Sequence, residues 1–394
     1  MRRLALLAPA LAALAVIAPP RVGAEPPEPA KLSTMADEVQ RLQTRIAEGD
    51  RSAYPMEMDA LKAMEQAISA AAPETWADRR EADALVVYVL CGGALAPVVP
   101  LVKDNKLVES EQALARGALA YATNHEADAL ELLGGVDLSA LDARLAGPIA
   151  FARSVLKTRS DPKAATADLD WARLVAPGSL VEEAALRREI GLLAEAHDTP
   201  RVALLSRQYA DRFAASLYAP DFFHDLALMI ARTRLAEDPA NYHLLSEAAA
   251  RLPAEGRRDF LLTLARAAAV SGRFDAAASA ASEALRRAGP GSVEEARGRL
   301  YLDAGRIFSD AYDSALADLR GISATKLDRT DAALLTAALS VAAQLRATPD
   351  TAAVGSQAPA DGDGGKDGEP STIRSAEETL RRTESLAAAG GAAP

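Results

Sequence analysis

LARAAAVSGRFDAAASAASEAL, residues 264–285, decides the fold. Leu261, Leu264, Ala265 and Ala268 recur at helical spacing before Gly272, and Phe274, Ala277, Ala278, Ala281 and Leu285 recur after it. Apolar residues at i, i+3, i+4 and i+7 share one face of a helix. A glycine between two such stripes supplies a turn. The stretch therefore predicts two helices folded against each other, with small side chains that let their axes approach closely.

The same punctuation recurs along the chain. Asn124, Asp161, Asp198, Asp238, Gly272 and Asp310 stand 34 to 40 residues apart, each flanked by apolar segments of helical length. A near-constant period in this range signals stacked helix pairs. Alanine dominates these segments and aromatics make up only 4% of the chain, a balance that favours helix almost everywhere. The unit around Gly272 resembles a tetratricopeptide repeat (TPR). Gly272, Phe274, Ala277, Ala281 and Ala284 fall where that family places its turn, aromatic and small packing residues, with Pro290 near the terminal proline. The large aromatic expected near the start of the unit is absent, and the other units match only in period and polarity. The expected fold is all-α: a TPR-like right-handed helical-hairpin solenoid with a disordered C-terminal tail. Such a chain presents a long concave surface, which suits holding another macromolecule.

The termini read differently from the middle. Arg2 and Arg3 precede an uncharged apolar run, Pro19 and Pro20 break it, and Val22, Gly23 and Ala24 offer small residues for cleavage. Residues 1–24 thus have the layout of a secretory signal peptide, too short to span a bilayer core. A Pro-rich leader follows at 25–32, then an N-terminal helical region at 33–110 and the repeats at 111–346. The low-complexity tail at 347–394 has almost no large apolar residue up to Pro370 and is expected to be mostly disordered. Losing the leading segment removes three arginines and no acid, so the exported chain is more acidic than the −11 of the whole sequence. That field repels phosphate backbones and anionic membranes, which argues against nucleic-acid or electrostatic lipid binding.

Chemistry is sparse. Cys91 is the single cysteine, so no internal disulfide forms, and its apolar surroundings (ADALVVYVLCGG, residues 82–93) make it a small hydrophobe rather than a nucleophile. His197-Asp198 and His224-Asp225 are adjacent His–Asp pairs, but no HExxH, CxxC or second His at i+4 completes a metal site. Neither a GxSxG elbow nor a phosphate-binding glycine loop precedes a helix. These observations predict a protein that is not an enzyme, with no catalytic, metal or cofactor residues. Tyr121, Tyr209 and Phe213 are conceivable partner anchors, but an aromatic on an apolar stripe ordinarily packs inside its own hairpin. The contact surface is otherwise unassigned.

Four segments carry a wider resemblance: RLQTRIAEGD (41–50), ADALVVYVLCGG (82–93), GALAYATNHEADALELL (117–133) and LDWARLVAPGSLVEEAALRR (169–188). In order and spacing the chain resembles the MotC family, periplasmic flagellar motor and chemotaxis proteins of rhizobia and related bacteria. The likeness spans about residues 37–310. It implies export to the periplasm, a non-enzymatic role in flagellar rotation, and binding to the periplasmic part of the stator subunit MotB. A general periplasmic TPR-like scaffold for envelope assembly or secretion shares every physical feature above and is the alternative; a periplasmic hydrolase with an unrecognised site is a third.

Overall fold

A computed structural model describes residues 31–346. The readings of residues 1–24, of most of the leader and of the 347–394 tail lie outside the described residues. Within them the chain is all-helical, with seventeen α-helices, three short 3-10 segments and no strand. The described residues up to Ala342 belong to one compact unit.

The N-terminal helices are α1 (Leu32–Ala47), α2 (Ala53–Ala70), α3 (Arg79–Leu90) and α4 (Val98–Lys103), followed by α5 (Glu109–Ala122) and α6 (Glu126–Gly134). The middle comprises α7 (Ala143–Lys157), α8 (Pro162–Val175), α9 (Leu180–Glu195), α10 (Thr199–Phe213), α11 (Ala219–Arg232) and α12 (Pro239–Ala249). The chain continues through α13 (Ala254–Val270), α14 (Phe274–Leu285), α15 (Val293–Arg306), α16 (Tyr312–Gly321) and α17 (Arg329–Arg346).

The recurrent turn residues have two different jobs. Asn124, His197 and Gly272 lie just past a helix with φ of 58°, 57° and 72°. Behind each, an N–H reaches back to close the helix end: His125 to the Ala120 carbonyl at 2.9 Å, Asp198 to Leu193 at 2.9 Å and Arg273 to Ala268 at 2.8 Å. Asp161, Asp198 and Asp238 instead cap helix starts, their carboxylates accepting N–H bonds from Ala164, Arg201 and Ala240. Pro162, Pro200 and Pro239 occupy the first two helical positions, where no intrahelical donor is lost. Asp310 lies in the α15–α16 loop, where Ala311 takes the cap position.

Two stretches pack as stacked hairpins. In α7–α9 and again in α13–α15 each helix touches the next, and the first touches the third. The series is interrupted between them, because α12 packs on α10 while α11 packs on α13. The turn joining α11 to α12 is itself packed inward, with Leu235 and Ala236 buried.

A second departure is the fold-back of the N-terminal helices, with α1 against α9 and α3 against α7. Pro148 explains part of it. A proline inside a helix cannot donate to the carbonyl four residues back, and that carbonyl, Arg144 O, is taken instead by Gln40 Nε2 of α1 at 2.9 Å. Arg144 also bonds Asp37 of α1 at 2.7 Å. At the end of α1, Gly49 has φ +96° and lies so close to the α10–α11 loop that a Cβ there would stand 2.3 Å from Ala215 O. Beside it Leu42, Ile46 and Ala53 pack with Leu217 and Tyr218. Two large cores result, one built by α1 to α7 and the other by α9 to α17 together with Ala47 at the end of α1.

Candidate partner-binding surface

The aromatic candidates separate. Tyr209 and Phe213 are buried with Phe222 and Phe223, the Tyr209 ring lying 4.1 Å from Phe222 and 5.5 Å from Phe223 between centroids. The Tyr209 hydroxyl and Ser216 Oγ both donate to Glu183 Oε1, each at 2.7 Å. Burial pushes the Tyr209 phenol and the Glu183 carboxyl up from their ordinary ranges. Both rings are therefore hairpin core. Tyr121 is half-buried and lines a cavity of about 160 Å³ with Gln43, Cys91 and Phe151. The Cys91 thiol points at Gln43 Oε1, 3.7 Å away, and desolvation pushes it up to about 12, so it stays a protonated thiol at neutral pH.

Buried carboxylates are numerous, and cations from nearby helices hold several of them. Asp168 meets Arg153 at 3.1 Å and Lys157 at 2.7 Å, tying α8 to α7. Glu189 meets Arg173 at 2.8 Å and Arg201 at 2.7 Å, joining α9 to α8 and α10. Glu283 of α14 accepts from Arg257 at 2.5 Å, Ser246 at 2.7 Å and Tyr242 at 3.1 Å. Asp331 of α17, fully buried, accepts the Tyr301 hydroxyl at 2.8 Å and Nε of Arg266 and of Arg297 at 3.1 Å. A buried charge demands such compensation. These groups act as clamps between helices, replacing the aromatic packing that a 4% aromatic sequence lacks.

The two His–Asp pairs do not converge. His197 sits in its turn at positive φ, whereas His224 is exposed on α11. Among the described residues no group of three or more His, Cys, Asp or Glu is placed to hold a metal ion. No described helix is long and apolar enough to cross a membrane.

Two large grooves lie on the described residues. One, of about 540 Å³, lies between α1, α7 and the start of α9 and is lined by Asp37, Arg41, Arg144 and residues 175–177. Segments 41–50 and 169–188, far apart in sequence, both contribute to it. Ser179 shapes its rim: Oγ accepts the Glu182 N–H at 3.3 Å, and the Glu182 carboxylate answers at Gly178 N, 2.5 Å away, rather than at Ser179 N. The second groove, about 590 Å³, runs along α11, α13 and α15. Its walls carry Arg232, Arg266, Arg273 and Arg297 around Leu228 and Val270. Sequence reading missed this face. The available signal was an arginine on each of three helices, Arg232, Arg266 and Arg297, at close to the repeat spacing.

A profile of the family described as "Chemotaxis protein MotC" matches residues 1–391. The chain belongs to the MotC family. A curated relative, the chemotaxis protein MotC of Rhizobium meliloti (strain 1021), is 29% identical over 310 residues, covering 78% of this chain and 70% of the relative. No solved structure matches the chain. The family match takes in all four segments that carried the resemblance, including both that meet at the α1/α7/α9 groove.

Proposed function

We propose that this MotC-family chain is a flagellar motor protein exported to the periplasm, where it binds the periplasmic part of the stator subunit MotB and supports flagellar rotation. The observation that carries the reading is the family match across residues 1–391. The arginine-rich start, apolar run and small-residue cleavage stretch of the first 24 residues support export. The clamped carboxylates support a binding rather than a catalytic role, since Asp168, Glu189, Glu283 and Asp331 are committed to holding helices together. A scaffold fixed in this way can dock a partner at little ordering cost.

A deletion strain tests the proposal. Paralysed cells with normal numbers of filaments are expected, together with recovery of MotB when the tagged protein is cross-linked in cells. Normal swimming would overturn the motor role, and an envelope defect in such swimming cells would favour the general scaffold.

A further inference from the structure

The groove along α11, α13 and α15 is unlike the rest of the molecule. The chain carries a formal net charge of −11, yet the residues lining this groove include four arginines, one histidine and no carboxylate. The acids that act on these arginines stand outside the groove lining. Asp331 bonds both Arg266 and Arg297 from beneath, while Asp328 acts on Arg266 and Glu294 on Arg297. Arg273 is paired with Glu237, which also serves Arg234. Arg232 reaches only Glu195, 3.4 Å away, and the arginine keeps 70% of its side chain in solvent. Arginine stays ionised at any physiological pH, so the groove wall presents cations permanently.

Between these charges the floor is apolar. Val270 is 64% exposed and Leu228 is 42% exposed, with Ala231 and Ala267 between them. Cations around exposed aliphatic side chains fit a ligand that alternates the opposite charge with apolar groups. The lining has no Phe, Tyr or Trp, the rings that stacking platforms for sugars and bases are usually built from. The acidity of the remaining surface disfavours an extended polyanion or an anionic bilayer, either of which would meet repulsion beyond the groove.

We propose that this groove docks an acidic, amphipathic segment of a protein partner, with the segment's apolar side chains on Leu228 and Val270 and its carboxylates on Arg232, Arg266 and Arg297. The assignment rests on the partner-binding reading above and names the surface and the chemistry of the segment, whichever protein supplies it.

The test places a photo-crosslinking residue at position 270 of the full-length protein, expressed in its own motile cells, and sequences the peptide it captures. The same residue at Leu174, 72% exposed on α8, is the control. An acidic peptide captured from position 270 and not from position 174 is expected. Arg232→Glu should lower that yield about tenfold, as should raised salt before irradiation. If the peptide comes from MotB, both proposals stand. If an acidic peptide comes from another protein, the groove assignment stands and the MotB partner falls. Capture of a neutral or basic peptide, of a glycan or lipid, or of nothing would overturn the groove assignment, as would a yield indifferent to Arg232→Glu. Circular dichroism of each purified variant, matching the parent spectrum, excludes unfolding as the cause of a loss.

Discussion

Replacing Asp331 by asparagine tests whether ion-pair clamps hold the second core together. The carboxylate is fully buried on α17 and accepts from Tyr301 and Arg297 of α15 and Arg266 of α13. Asparagine keeps the shape and one acceptor oxygen, so the tyrosine retains a partner while the negative charge disappears. Removing one member of a buried ion pair costs about 3–5 kcal/mol when the other is left fully buried. Here Arg266 and Arg297 keep 37% and 28% of their side chains in solvent, which relieves part of the penalty. The expected loss is therefore about 2–3 kcal/mol for Asp331→Asn, and about 3–5 kcal/mol for Asp331→Ala, which also strands the Tyr301 hydroxyl.

Urea unfolding followed by far-ultraviolet dichroism measures it. With a slope of about 2–3 kcal/mol per molar urea, the asparagine variant should unfold about 1 M earlier. Hydrogen exchange should place the loosening in α13, α15 and α17. Tryptophan fluorescence is the wrong probe, since Trp76 and Trp171 lie outside the core that these helices share. Glu195→Gln, which breaks the exposed pair with Arg232, is the comparison and should leave the midpoint unmoved. An Asp331→Asn midpoint within about 0.2 M of the parent would refute the clamp, because an interaction that small is what a solvated pair contributes. The same substitution releases two guanidinium groups toward the groove, so capture of an acidic segment at position 270 should persist in the folded variant.

Gly49→Ala should destabilise the chain by about 2–4 kcal/mol, measured by thermal unfolding, since it combines a positive-φ penalty with a Cβ driven into the Ala215 carbonyl; an unchanged melting temperature would mean that α1 does not dock on the α10–α11 loop. Asp83, pushed up to about 7 by burial first and by the neighbouring Glu111 carboxyl second, makes stability fall as pH rises from about 4 through 7, because the folded chain holds a proton that the unfolded chain releases. Asp83→Asn should flatten that slope and make the variant the more stable protein at pH 8, and denaturation midpoints at pH 5 and pH 8 decide it. Tyr209→Phe removes the hydroxyl that Glu183 accepts and should cost about 1–2 kcal/mol of stability while leaving partner capture in cells unchanged; lost capture in a folded variant would return Tyr209 to the list of anchors.

What could be read from sequence followed the range of the interactions involved. The hairpin around Gly272 was legible because its determinants are local: Leu261, Leu264, Ala265 and Ala268 are all buried as the spacing required. Even there the second stripe is rotated slightly, since Ala276, Ala280 and Ala284 are buried while Ala278 and Leu285 are only half-buried. The turns at Asp161, Asp198 and Asp238 were legible for the same reason, because a carboxylate two or three residues from the donor it serves needs no tertiary contact to break the chain there. The helix before the Asp238 turn ends at Arg232, several residues ahead of that turn. Arg234 takes a φ of 64° and its guanidinium bonds Glu237 at 2.7 Å, a conformation that composition does not announce in a non-glycine residue.

The interruptions of the stack were not legible, because each depends on groups distant in sequence. Gln40 looks like an ordinary polar residue on an amphipathic helix, and Pro148 like an irregularity in another; only together do they form the tie between α1 and α7. The cationic groove has the same character. Arg232, Arg266 and Arg297 each sit in a different helix among nearby acids, so no window of sequence shows a basic cluster. Stacking α11 on α13 and α13 on α15 brings them onto one face. A chain whose summed charge excludes anionic partners can therefore carry a local field of opposite sign. Net charge constrains what a protein repels at long range, while the stacking of its helices decides what it can hold at contact.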